Sequence, residues 1–223
     1  MDSYARIAYE LEIKPGKVTA KISMDIVLLN PRIKTWSPNV YVPLGLAYIA
    51  AALEQKNYSV NIVDLNVQRM GDSSLQGKVI NADVVGITGM ITEYEEILRL
   101  INIVKKGNSE AKVVLGGPLA TTLPRELLQA SQVDFIVLGE GEKTIVKLLQ
   151  AIEQGHSPAG VRGIAYREGG QVVVAETAEP IADLDTIPFP ARHLFDVKRY
   201  LKNHMTTSGS EPLLRDPYTR YKP

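Results

Sequence analysis

"VVLGGP" at 113–118 and "IVLGEGE" at 136–142 decide how this chain is read. Each is a run of apolar, largely β-branched residues that stops at glycine, with a helix-like stretch beyond it. A strand that is apolar at successive positions is covered on both faces, the condition of a parallel sheet between helices. Glycine at its carboxyl end allows a turn with positive φ, and its lack of a Cβ lets a ligand or a second backbone come close.

The same punctuation recurs on both sides. "DIVLLN" (25–30), "SVNIVDL" (59–65), "DVVGIT" (83–88), "AKVVLGG" (111–117) and "DFIVLGE" (134–140) read as strands. Helical spacing fills "PLGLAYIAAALEQKN" (43–57), "EYEEILRLINIVKKGN" (93–108), "PRELLQA" (124–130) and "EKTIVKLLQAIEQG" (142–155), with Pro43 suited to a first helical turn. Such alternation predicts a doubly wound α/β fold, Rossmann-like or flavodoxin-like, with a five-stranded parallel sheet in the order 2-1-3-4-5. "RGIAYREGGQVVVAE" (162–176) alternates about Glu168-Gly169-Gly170 and predicts a hairpin, joined to a sheet edge or set apart. Pro180, Pro188 and Pro190 exclude a continuous helix before about Arg192. The expected organisation is an extension or tag at 1–23 and a Rossmann-like domain at 24–155. A hairpin appendage follows at 156–178, a linker or helix towards a further domain at 179–203, and a disordered tail at 204–223.

Acidic and basic residues balance at 25 each in 223 residues, so net charge gives no reason to expect a nucleic-acid or anionic-membrane partner. No apolar run approaches the roughly 20 residues of a membrane span, and the opening lacks the basic start and apolar core of a signal peptide. A cytoplasmic location is the expectation. The chain has no cysteine, which excludes from it disulfides, thiolate nucleophiles and cysteine-held zinc or iron–sulfur clusters.

In an open parallel sheet, ligands bind beyond the carboxyl ends of the strands, near the reversal of strand order. The candidate cofactor-binding residues are therefore Pro31, Pro43, Leu44 and Gly45; Thr88, Gly89, Met90 and Thr92; Gly116, Gly117 and Pro118; and Gly139, Glu140, Gly141 and Glu142. Helix starts at 43, 93, 124 and 142 would turn amides towards that edge and suit a phosphate, and Thr121 and Thr122 add hydroxyls. For any single glycine a tight strand-to-helix turn is an equally good reading. The first loop, with Pro31, Trp36, Pro38, Tyr41 and Pro43, exceeds the usual βα connection. Neither a G-x-G-x-x-G fingerprint nor a Walker A sequence follows the first strand, which argues against ordinary NAD and ATP sites. Glu140 and Glu142 could form an acid–base pair, but beside a helix start they are better suited to capping amides and complementing the dipole. Asp64 stands where Rossmann proteins bind ribose, without the accompanying glycines.

"NPR…VPLGLAYIAAALE", "DVVGIT…T", "VVLGGPLATTLP", "VDFIVLGEGE" and "LDTIPFPARHLF", in that order over about 24–201, resemble the amino-terminal cobalamin-binding domain of the B12-dependent radical SAM family. The resemblance implies cobalamin bound with its nucleotide tail along the sheet edge and its corrin ring above, in a chain leading into a radical SAM barrel. Histidine ligation through D-x-H-x-x-G is absent, and His156, His193 and His204 lie outside the strand-end loops. The implied state is base-off and histidine-off, with Trp36, Tyr41 and Met90 as candidates to pack beneath cobalt. The missing C-x-x-x-C-x-x-C implies that the [4Fe–4S] cluster and S-adenosylmethionine belong to a part beyond this chain, which is read as truncated before the barrel. No catalytic or metal-ligating residue is assigned, and the oligomeric state stays open. Two other readings remain. One is a self-sufficient α/β enzyme with Glu140 or Glu142 as base and Gly116-Gly117 cradling phosphate; the other is a ligand-sensing domain.

Overall fold

The computed structural model describes residues 24–33 and 40–201. The expectations for 1–23, Trp36, Pro38, His204 and 204–223 lie outside the described residues. Five parallel strands form first: β1 (Asp25–Asn30), β2 (Ser59–Asp64), β3 (Val84–Thr88), β4 (Lys112–Gly116) and β5 (Phe135–Val137). They are ordered 2-1-3-4-5, as the sequence predicts. β6 (Ile164–Glu168) and β7 (Gln171–Val174) then add antiparallel beyond β5, giving a mixed seven-stranded sheet. Gly169 and Gly170, at φ 56° and 80°, make the two-residue turn between β6 and β7.

Six helices cover the sheet: α1 (Leu44–Glu54), α2 (Asp72–Val79), α3 (Tyr94–Gly107), α4 (Pro118–Thr122), α5 (Pro124–Ala130) and α6 (Glu142–Glu153). Two of them, α2 and α4, are not apparent in the sequence. "DSSLQGKV" buries only Leu75 and Val79 and contains Gly77, so its apolar pattern is too sparse to mark a helix. α4 is a single turn begun by Pro118 directly after Gly117. No helix among the described residues is long and apolar enough to cross a membrane.

Side chains alternate across the pleat, so each strand feeds two cores. Ile26, Leu28, Val60, Ile62, Val84, Val114 and Val137 point to the face covered by α1 and α6. Val27, Leu29, Val63, Val85, Ile87, Val113, Leu115 and Ile136 point to the face packed by α2, α3, α4 and α5. This explains why "IVLL" (26–29) and "VVL" (113–115) have no polar position between their ends. Residues 179–201 fold back as a strap over the first face, where Ile181, Ala191, Phe195 and Tyr200 are buried. Ala191 N–H donates to the Ala47 carbonyl at 3.0 Å, and the last described residues, 197–201, are helical.

The hairpin is held at the sheet edge by more than its ladder. Arg167 on β6 donates to the Leu128, Ser131 and Val133 carbonyls, which follow from the end of α5 into the turn before β5. These carbonyls have no helical partners of their own to the same degree as interior ones. Arg167→Met keeps the aliphatic stem and deletes the donors. Urea unfolding should show it less stable by about 1–2 kcal/mol.

Candidate functional site

A cavity of about 260 Å³ lies between the α1/α6 face of the sheet and those two helices, opening at the carboxyl edge of the strands. Its floor is one register row, in which Leu28 pairs with Gly86 and Gly86 with Val114. Val137, Leu46, Ile49 and Ile145 supply the remaining apolar wall. Gly86 makes the floor low. A Cβ there would stand 2.6 Å from Leu28 Cδ2, inside contact distance.

The mouth is built from strand-end glycines. Thr88 and Gly116, paired across β3 and β4, line it together with Gly45, Gly117, Gly139, Glu140, Gly141 and Glu142. Gly117 has φ 87° and ψ −175°, a conformation essentially reserved for glycine. A Cβ on it would stand 2.7 Å from Thr88 Oγ1. Gly141 is needed for a different reason, since its Cβ would come within 2.8 Å of Ile49 Cδ1, where α1 meets the start of α6. At Gly45, Gly116 and Gly139 a Cβ would meet nothing within 4 Å. Gly45 and Gly116 thus leave space beside the backbone without being forced by protein packing, whereas Gly139, at φ 67°, meets a backbone requirement.

The cavity thus gathers eight of the candidate residues. Pro31, Pro43, Leu44, Gly89, Met90, Thr92 and Pro118 do not line it. Pro31 and Gly89 are buried next to it, with a Gly89 Cβ calculated to fall 2.5 Å from Ile97 Cδ1 and 3.4 Å from Pro31 Cγ. Met90, Ile91, Ile33 and Tyr41 after the strands, and Leu44 at the start of α1, are exposed at the carboxyl edge. The hydroxyls of Thr92, Thr121 and Thr122 are already engaged. Thr121 and Thr122 donate to the carbonyls of Gly117 and Pro118, Thr121 Oγ1 also accepts from Gly139 N–H at 3.0 Å, and Thr92 donates to Glu93. Glu93, which is buried, accepts from Met90 N–H at 2.8 Å and so shapes the loop after β3.

The two glutamates differ from the expectation of amide caps. No side chain caps α6. Glu140 instead accepts the Ile181 N–H of the strap at 2.7 Å, which ties the strap to the cavity mouth. Glu142, in the first turn of α6, is placed to complement the helix dipole. Asp64, the ribose candidate, is 2% exposed and surrounded by protein donors, so no sugar reaches it.

Sequence reasoning missed the inner wall. Gly86 had a signal, because an isolated glycine inside an apolar strand marks a close approach. Val114 shares the face of Gly116 by the period of two. Leu46, Ile49 and Ile145 carried none, since an apolar residue facing a cavity is chemically the same as one facing a core.

An apolar slot with a glycine-built mouth fits a flat aromatic group attached to a polar, phosphate-bearing tail, such as the nucleotide of cobalamin. Among the described residues no group of three histidines or carboxylates could hold a metal ion. His193 Nε2 lies 2.9 Å from Glu54 Oε1 at the far end of α1, about 13 Å along the helix from Gly45. His156 follows α6 at the same distant edge.

The chain is similar to known proteins. An uncharacterized methyltransferase of Pyrococcus horikoshii is 31% identical over 161 residues, 71% of this chain and 35% of that protein. The structure of the radical S-adenosylmethionine methyltransferase TsrM from Kitasatospora setae superposes with a TM-score of 0.62 at 26% identity, over 71% of this chain and 31% of that one. The cobalamin-dependent S-adenosylmethionine radical enzyme OxsB, solved with aqua-cobalamin and S-adenosylmethionine, has the same fold at a TM-score of 0.72 and 16% identity, over 82% of this chain and 26% of that one. The chain spans between about a quarter and somewhat under a half of the length of the curated relatives it matches. The B12 binding domain family matches residues 34–149, just over half of the chain, and the chain belongs to that family.

Proposed function

We propose that this chain is the cobalamin-holding module of a larger B12-dependent radical SAM enzyme. The observation that carries this is the 260 Å³ apolar cavity beneath the strand ends, at whose mouth Gly45 and Gly116 leave space that protein packing does not need. Leu28, Val114, Val137, Leu46, Ile49 and Ile145 would enclose the nucleotide base. Gly116, Gly117, Gly139 and Gly141 would let its tail pass close to the backbone. The exposed Met90, Ile91, Tyr41 and Leu44 would meet the corrin ring and exclude water from it.

Cobalamin, when bound, supplies a cobalt centre able to carry a methyl group. The chain's share is to bind and orient the cofactor and to leave its lower face free of histidine. Methyl transfer or related radical chemistry belongs to the whole protein. Its [4Fe–4S] cluster and S-adenosylmethionine would be held in a radical SAM domain elsewhere in the parent chain. In this reading the parent protein is cytoplasmic, and the balanced charge of the chain fits a protein without a nucleic-acid partner.

The purified chain should retain close to one hydroxocobalamin per chain after desalting, in reducing and non-reducing buffer alike. Free passage of the cofactor through the column would overturn the assignment. Gly116→Val places a β-branched side chain at the cavity mouth, where its Cβ meets no protein atom within 4 Å. Equilibrium dialysis should show cobalamin binding weakened about tenfold or more, while the melting temperature stays within about 3 °C of the parent.

With the bound cofactor reduced to paramagnetic Co(II), electron paramagnetic resonance should show no nitrogen splitting of the cobalt lines. His193→Ala should leave the spectrum unchanged. A nitrogen coupling that a histidine substitution removes would contradict the histidine-off reading.

A further inference from the structure

The ends of β1 and β2 hold a polar network that the cavity does not use. Asp64 closes β2 and is buried. Its Oδ1 accepts from Asn30 Nδ2 at 3.0 Å and from both Asn66 N–H and Asn66 Nδ2 at 2.9 Å. Its Oδ2 accepts from the hydroxyl of Tyr200 at 2.8 Å. Asn66 then reaches into the first βα loop, donating through Nδ2 to the Pro31 carbonyl at 2.9 Å and accepting the Ile33 N–H on Oδ1 at 2.8 Å. The hydrogen bonds therefore run without a break from the strap, through Asp64 and Asn66, to the backbone that starts the loop at the cofactor edge.

Tyr200 is suited to this role. It is buried, and Phe195 packs against its ring edge-on with centroids 6.1 Å apart, so the hydroxyl is aimed rather than free to swing. Burial first, then the bond to Asp64 and that group's charge, hold the phenol proton well above its ordinary range. Tyr200 is thus the donor at any physiological pH. The strap carrying it is also bound to the cavity mouth at its other end, by Ile181 N–H on Glu140.

We infer that Tyr200 is a positioning residue for the cofactor edge: by holding Asp64 it fixes Asn66, and through Asn66 the backbone at Pro31 and Ile33, so that seating of the strap sets the first βα loop. The coupling between strap and loop rests on the geometry alone. Its effect on cofactor affinity rests on the cobalamin reading above.

The chain offers a matched control. Tyr58 is a second buried tyrosine whose hydroxyl donates to a carboxylate, Glu153 Oε2 at 3.1 Å, but it sits at the opposite edge of the sheet. Tyr200→Phe and Tyr58→Phe each delete one hydroxyl from the whole chain. Amide hydrogen exchange at Ile33, measured relative to the core amide of Val113, should accelerate about tenfold in Tyr200→Phe and remain at the parent rate in Tyr58→Phe. Hydroxocobalamin binding by dialysis should weaken about five- to tenfold in Tyr200→Phe only. An unchanged Ile33 rate in Tyr200→Phe overturns the coupling. So does equal acceleration in both variants, which would indicate general loosening. If Ile33 responds as expected but the parent chain retains no cobalamin, the cofactor assignment falls and the coupling of strap to loop stands.

Discussion

Most of the site follows from one missing atom. Gly86 lies in register between Leu28 and Val114 in the centre of the sheet, where any Cβ would stand 2.6 Å from Leu28 Cδ2. Its absence lets Leu28 lie flat and lowers the sheet surface beneath α1 and α6. A cavity can then persist against a face that otherwise packs to ordinary core density. A larger side chain would fill the slot from the sheet side, just as one at Gly141 would press against Ile49 Cδ1 on α1. The glycines at the mouth serve different ends: Gly117 meets a backbone requirement, and Gly116 leaves room.

The two faces of the sheet divide the work. On one, α2, α3, α4 and α5 pack a continuous core that includes Val79, Leu100, Leu115 and Leu128. On the other, α1 is rich in alanine, with Ala47, Ala50, Ala51 and Ala52 buried, so the helix can sit close to its neighbours while Gly45, Leu46 and Ile49 face the cavity. The strap closes this face from outside. Ala191, Phe195 and Tyr200 join the same core, and polar contacts at Glu140, Ala47 and Asp64 fix the strap at the cavity mouth, along α1 and at the end of β2. A segment spotted with prolines is therefore placed with little regular secondary structure, by a few buried apolar side chains and a few hydrogen bonds to the body of the domain.

Much of the fold was legible. The five parallel strands and their order follow from apolar runs too continuous for a half-exposed sheet, and the hairpin from a Gly-Gly turn between alternating segments. α2 was not, because a helix with two buried residues has almost no apolar period. The mouth of the cavity was legible for the same reason as the fold, since glycine at strand ends is visible in one dimension. Glu140 and Asp64 were not. Their partners, Ile181 and Tyr200, are separated from them by 41 and 136 residues.

By itself the sequence determined the sheet, its polarity and the edge at which a ligand would lie, because periodicity and glycine placement act over a few residues. Only the tertiary structure decided which glycines leave space and which avoid a clash, and which carboxylates are free and which are already held. Those outcomes depend on what the folded chain brings within about 4 Å of each atom, over distances in sequence that no local pattern records.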